Sequence, residues 1–252
     1  MIDHLSFSSI KTFLECPKKW YFKYIEKIPI PSNVYMELGK VLHSVFAKYL
    51  TDKKQKIHDI LSEEISNEHT AFVFENSLKI LSNQNVINFL EEIQPSAVEK
   101  QFEFSVYNTK IVGFIDCIDQ FGTVIDFKIT NKFDKESYWL QPLFYLKGCY
   151  ENKIEINNKF SFVVIPRSST EKLQVWSVSL SSGEFSRYFD FVLRAVLKDL
   201  EFYTKENNFP FTSHFSMCET CPFNEICPNG KTVLETAEFF GKSVVNTLTE
   251  QG

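Results

Sequence analysis

Asp116 is followed ten residues later by Asp126-Phe127-Lys128. Two carboxylates held close repel each other, and a bound cation, a shared proton or free exposure relieves the repulsion. The neighbours Phe114, Ile115, Val124, Ile125 and Phe127 are apolar, which argues against free exposure. A hard divalent ion such as Mg²⁺ suits oxygen ligands and keeps positions open for water and phosphate. Such an ion lowers the pKa of a bound water and stabilises charge on a phosphate, while Lys128 can orient that water or neutralise the transition state. Metal-assisted phosphodiester hydrolysis is the chemistry this set could perform.

The residues between the aspartates suggest how they would meet. Asp119-Gln120-Phe121-Gly122-Thr123 reads as a hairpin with a three-residue loop, in which Gly122 takes the left-handed position. Residues 119 and 123 then pair, and counting outward sets Asp116 opposite Asp126. Opposed residues share a face with Cβ atoms about 4.5–5.5 Å apart, and Lys128, two further on, joins that face. An ordinary amphipathic hairpin with a solvated polar face has the same pattern.

Cysteines form the second chemical group. Cys218, Cys221 and Cys227 lie in a loop with Pro222 and Pro228, and Cys16-Pro17 has similar surroundings. Four thiolates can hold a tetrahedral zinc or an iron–sulfur cluster. Cys117 and Cys149 sit in apolar stretches and read as packed residues. Disulfides are disfavoured in the cytosol, the expected compartment, so metal binding or catalysis is the better reading of six cysteines there. No charged-then-apolar leader and no run of roughly 20 apolar residues is evident, so a cytoplasmic protein without a membrane span is expected.

The elements that must position these groups follow from periodicity. Residues 6–27 read as a helix, capped by Ser6, Ser8 or Ser9, broken or kinked at Pro17, and closed by Pro29 and Pro31. Residues 35–50 form a second helix carrying His43, and 55–93 hold several more. Residues 98–106 alternate as a strand, and 110–118, 123–129, 160–166 and 173–180 are further strands. Helices are expected over 137–151 and 184–205, then a loop over 210–230 and a short helical tail beyond Lys231. With 44% hydrophobic residues, the 252-residue chain can bury a sizeable core, and the pattern predicts one α/β domain over 1–252. The net charge of −5 argues against a passive phosphate-binding surface, yet Lys11, Lys18, Lys19, Lys23 and Lys27 crowd the first segment.

Taken together, these residues resemble the PD-(D/E)XK nuclease superfamily. Asp116 with Asp126-Phe127-Lys128 resembles its signature. Gly39-Lys-Val-Leu-His43 resembles the His-bearing helix motif of the RecB-type branch, and Gln141-Pro-Leu-Phe-Tyr145 its Gln-x-x-x-Tyr motif. Cys16 with Cys218-x₂-Cys221-x₅-Cys227 resembles its iron–sulfur members, which include the CRISPR-adaptation exonuclease and AddB-type nuclease domains. The resemblance spans residues 16–227 and implies a restriction-endonuclease-like mixed sheet flanked by helices. It implies a Mg²⁺ or Mn²⁺ site made by His43, Asp116, Asp126 and the Phe127 carbonyl, with Lys128 catalytic and Gln141 and Tyr145 near the DNA. It also implies a 4Fe–4S cluster rather than zinc on the four cysteines, with 1–34 and 210–230 forming the clasp. Pro142 departs from the family pattern, and with it the helix is expected either to begin near Trp139 or Leu140 or to kink there.

The clasp would hold Lys18, Lys19, Trp20, Tyr21 and Lys23 in place, a basic and aromatic set suited to single-stranded DNA. Trp20 and Tyr21 read equally as core. Glu99 and Glu103 read either as additional metal-site carboxylates or as a solvated strand face. The leading expectation is a Mg²⁺- or Mn²⁺-dependent exonuclease acting on single-stranded ends. The alternatives are an inactive DNA-end-binding or scaffold subunit and a zinc-stabilised interaction protein. An integrase or helicase partner follows by analogy, and CRISPR adaptation with antiviral defence, recombinational repair and phage DNA processing are all compatible settings.

Overall fold

The computed structural model describes residues 4–30, 33–65, 71–212, 216–229 and 231–232. Pro31 and the expected tail helix past Thr232 lie outside the described residues. The chain divides into two compact units, one built from His4–Phe7 and Ser32–Leu193, the other from Ser8–Pro31 and the segment from Arg194 onward.

In the larger unit a five-stranded mixed sheet is flanked by helices, an α/β fold. The strands are β1 (Pro95–Val106), β2 (Thr109–Asp119), β3 (Val124–Ile129), β4 (Lys159–Ile165) and β5 (Gln174–Ser179), in the order β1-β2-β3-β4-β5. Only β3 and β4 run parallel, and the remaining neighbours are antiparallel. A parallel pair needs a crossover rather than a hairpin, and helix α7 (Leu140–Glu151) supplies it.

One face of the sheet is covered by helices α3 (Val34–Thr51), α4 (Ile57–Glu64), α5 (Ala71–Leu81) and α6 (Gln84–Glu92). The spacing of Leu38, Val41, Leu42, Val45 and Phe46 makes one apolar stripe on α3. That stripe packs on Cys117, Ile125, Phe127, Val163 and Ile165 in one buried cluster. Each large side chain so buried contributes about 1.5–3 kcal/mol. Asn33 fixes where α3 begins, its Oδ1 accepting from the N–H groups of Tyr35 and Met36.

Helix α7 begins at Leu140 rather than at 137, the unkinked of the two outcomes expected from Pro142, so the proline occupies the first turn where no N–H is needed. A short 3₁₀ turn, Lys135–Tyr138, precedes it. Tyr145 of α7 packs edge-on against Phe102 and Phe160, at ring separations of 5.5 and 5.7 Å. Gly113 and Gly148 both face the Phe102 ring, where an added Cβ would approach to 2.3 and 2.4 Å. The aromatic ring takes the room that those two glycines leave.

The smaller unit contains the first helical segment, expected as one kinked helix. It is α1 (Phe7–Glu15), α2 (Pro17–Trp20) and a π-helical turn, Tyr21–Ile25. Pro17 starts α2, and Cys16 between the helices is extended, its Sγ accepting from the Lys19 N–H at 3.4 Å. Helix α8 (Ser182–Lys205), which belongs to the larger unit through Leu193 and to the smaller from Arg194, and the four-residue α9 (Ser216–Glu219) complete the elements. Trp20 is 2% exposed, donates to Ser9 Oγ at 2.9 Å and stacks on Phe209. It is a core residue of this unit, the alternative that its sequence context left open.

Candidate active site

The hairpin between β2 and β3 sets the geometry. Gly122 has φ +83°, and its N–H donates to the Asp119 carbonyl. Asp119 Oδ1 accepts from the N–H groups of Phe121 and Thr123, at 2.9 and 2.8 Å. Ile118 pairs with Val124 and Cys117 with Ile125, the register expected from the loop. The ladder ends there. At the level of Asp116 and Asp126, the Asp116 carboxylate bridges the strands instead, its Oδ2 accepting from the Phe127 N–H at 2.8 Å.

Side chains from five elements converge at this point. His43, on α3, places Nδ1 3.4 Å from Asp116 Oδ2. Lys128 Nζ lies 2.8 Å from Asp126 Oδ2, and Gln141, at the start of α7, donates Nε2–H to Asp126 Oδ1 at 2.5 Å. Asp126 and Gln141 are buried. Glu99 belongs to the same place. His43, Glu99 and Asp116 bring their ligand atoms within 4.8 Å of one another, the set among the described residues with that spacing. Glu99 reaches it through a φ of +46° inside β1, where its neighbours Val98 and Lys100 pair with Cys117 and Ile115. A left-handed non-glycine residue costs on the order of 1–3 kcal/mol and persists where the surroundings impose it. Glu103 lies elsewhere, in an exposed ion pair with Lys110 at 2.8 Å.

The electrostatics follow from burial and like charge. Burial raises the Asp126 pKa, Lys128 opposes the rise, and Asp116 adds to it. Burial also raises Glu99, with a further push from Asp116. For His43 burial works downward, but Asp116 and then Asp126 outweigh it and hold the imidazole above its ordinary value. Lys128 is held charged by Asp126 against its own burial. Burial, then Asp126 and Asp116, keep the Tyr145 hydroxyl protonated far above neutrality. The crowded carboxylates of Asp116, Asp126 and Glu99, the last two raised by burial, form with one imidazole a donor set that fits a hard divalent cation.

The four cysteines of the smaller unit line one pocket, with Lys19, Phe22, Phe223 and Asn229 among its other walls. Cys218 is buried, and its Sγ accepts from Asn229 Nδ2 at 3.5 Å. Burial raises the Cys221 pKa, and proximity to Cys16 and Cys227 adds to it. Cys117 and Cys149 are fully buried elsewhere, and burial pushes both thiols to about 12, as packed inert residues require. All six cysteines are free thiols. In the basic segment Lys18 Nζ stands over the Tyr21 ring at 4.8 Å and Lys23 over Tyr24 at 5.0 Å. Lys19 pairs with Glu15 at 3.2 Å.

Comparison with known proteins agrees with this architecture. The family model of the PD-(D/E)XK nuclease superfamily matches residues 4–228, and the chain belongs to that superfamily. A crystal structure of a protein from Eubacterium rectale, described as a "putative exonuclease", shares the fold with a TM-score of 0.61 at 13% identity. The match covers 87% of this chain and 86% of that one. The crystal structure of SSO0001 aligns at 17% identity and a TM-score of 0.44, covering 91% and 88% of the two chains. No curated protein matches. Among the described residues, no helix is long and apolar enough to cross a membrane.

Proposed function

We propose that this chain is a Mg²⁺- or Mn²⁺-dependent deoxyribonuclease of the RecB-type iron–sulfur branch, acting as an exonuclease on single-stranded DNA ends. One observation carries the reading: His43, Glu99 and Asp116 offer ligand atoms within 4.8 Å beside the buried Asp126–Lys128 pair. His43, Asp116, Asp126 and the Phe127 carbonyl would hold the ion, and Glu99 is placed to join them. Bound there, the ion would acidify a water and offset charge on the phosphate. Lys128 orients the attacking water and offsets developing charge on the phosphate oxygens. Gln141 fixes the Asp126 carboxylate through its 2.5 Å hydrogen bond. Tyr145 stays neutral, so its hydroxyl keeps a proton that it could donate to a bound substrate. Gly39, one turn before His43, has nothing within 4 Å of where a Cβ would stand, which leaves room for a phosphate backbone.

In the same reading Cys16, Cys218, Cys221 and Cys227 hold a 4Fe–4S cluster. Their common pocket and their free thiols support it. The family match runs from residue 4 to 228 through both compact units, which favours a single nuclease domain that includes the clasp. Lys18, Lys19 and Lys23 remain candidates for phosphate contact.

The test is degradation of end-labelled single-stranded DNA with Mn²⁺. The wild type degrades it and Asp126→Ala does not, with a loss of about 10²–10³-fold or more. Equal degradation by both proteins would remove the site assignment.

A further inference from the structure

The register of the sheet carries the active-site row beyond the acidic residues. Asp126 pairs with Phe162 across the parallel β3–β4 ladder, and Phe162 pairs with Trp176 across the antiparallel β4–β5 ladder. Paired residues point to one face, so Asp126, Phe162 and Trp176 form a row on the same side of the sheet. Strands lie about 4.8 Å apart, so Trp176 stands two strands, about 10 Å, from Asp126. The opposite face holds Ile125, Phe127, Val163 and Ile165 in the buried cluster, which confirms the assignment of sides.

Aromatic rings floor the space between. Lys128 Nζ lies 4.6 Å from the centre of the Tyr138 ring, and Phe133 stacks on Tyr138 at 5.6 Å and meets Phe162 at 5.1 Å. Phe162 is buried, whereas Trp176 keeps 44% of its surface exposed on the edge strand. Over its ring, at 5.1 Å, is the ammonium of Lys135, whose neighbour Asp134 is committed to capping the 3₁₀ turn. A large exposed indole in register with a catalytic carboxylate, with a cation on a flexible stem above it, has the components that single-stranded nucleic acid requires. The ring offers a face to a base, and the displaced ammonium offers a charge to the adjoining phosphate.

We propose that Trp176, with Lys135 beside it, is a base-stacking platform that holds a nucleotide of single-stranded DNA next to the scissile phosphate. The proposal rests on the nuclease reading above and names the surface that selects unpaired substrate. It differs from the basic stretch of the smaller unit, where Trp20 is buried and offers no face.

Fluorescence anisotropy with a labelled twelve-residue oligodeoxythymidylate in EDTA reads binding without hydrolysis. A twelve-residue abasic oligonucleotide carries the same phosphates and no bases. Trp176→Ala is expected to weaken oligodeoxythymidylate binding by about 5- to 150-fold, the range for one lost base stack. Trp176→Phe restores most of it, and abasic binding is the same for wild type and Trp176→Ala. Unchanged oligodeoxythymidylate binding by Trp176→Ala, an equal loss for the abasic strand, or no binding by the wild type overturns the platform. Hydrolysis of the same oligodeoxythymidylate by wild type with Mn²⁺, measured in parallel, judges the nuclease reading separately.

Discussion

The acidic site and the cysteine pocket both gather distant residues, but the scaffolds differ. His43, Glu99, Asp116 and Asp126 come from a helix and three strands whose positions are set by a buried core and by ladder hydrogen bonds. Cys218, Cys221 and Cys227 come from a loop with one four-residue helix and a few turns, and Cys16 from a break between two short helices. The first arrangement crowds carboxylates on a rigid scaffold, where burial and like charge raise Asp126 and Glu99. The second has little regular structure of its own, so under the cluster reading ligation would supply the order. Function is expected to fail first when the one is altered, and folding when the other is.

The sharpest test of that contrast is Cys218→Ser. Tying residue 16 to residue 218 closes a loop of about 200 residues, so losing the tie should cost roughly 2–5 kcal/mol on the scale of a long-loop crosslink. Thermal unfolding should drop by many degrees, together with iron content and absorbance near ~400 nm. EDTA should abolish hydrolysis and leave the melting temperature nearly unchanged. If EDTA unfolds the protein and Cys218→Ser does not, the roles of the two regions are reversed.

A second test uses pH. Metal binding needs the free imidazole, and the carboxylates beside His43 hold its pKa above the ordinary value. Mn²⁺ affinity should therefore fall about tenfold per pH unit below that raised pKa and level off above it. His43→Gln should remove the step in a calorimetric titration. In the metal-free protein the sign is opposite for stability. A raised histidine pKa contributes stability that is complete below the unfolded value near 6.5 and is lost as pH rises through the folded value.

The smallest effect is expected at Glu99. Its carboxyl is raised by burial and by Asp116, so its ionisation works against the fold as pH rises above the ordinary glutamate range. Glu99→Gln should leave the metal-free protein slightly more stable at pH 7 and weaken Mn²⁺ binding. A destabilised Glu99→Gln with unaltered Mn²⁺ affinity would return Glu99 to an ordinary strand position.

The contrast also explains which parts of the molecule were legible in the sequence. Periodicity located β1 and α3, where apolar residues recur on one side, whereas β4 is an apolar run buried on both faces and β5 an alternating one exposed along most of its length. Gly122 exposed the hairpin register, since a left-handed loop position favours that residue. Pro142 marked the start of α7 for a similar reason. Glu99 was harder to place, because nothing in a glutamate's identity signals a φ of +46°. Trp176 gave no signal at all, for its relation to Asp126 passes through two ladders that only the tertiary fold defines. The basic run near Trp20 suggested a DNA contact by composition, but a core stripe and an exposed aromatic stripe look alike at helical spacing.

The Gln120–Gly122 loop has a bearing on which lengths of chain the protein can accept. Its backbone is boxed in from outside as well, since a Cβ on Gly122 would stand 2.9 Å from the Asn157 nitrogen, and Asn157 N–H donates to the Gly122 carbonyl. One inserted residue would slide Asp126 along its partner strand and turn it to the far face. The segment 167–172, by contrast, is mostly exposed and joins strands that carry no acidic residue of the site. An insertion or deletion after β2 should therefore abolish the acidic site, whereas one in 167–172, which Asn83 holds through the Ser168 and Glu171 carbonyls, should spare the two aspartates while disturbing Trp176, so the β2–β3 loop serves as a gauge that fixes the spacing of the aspartates.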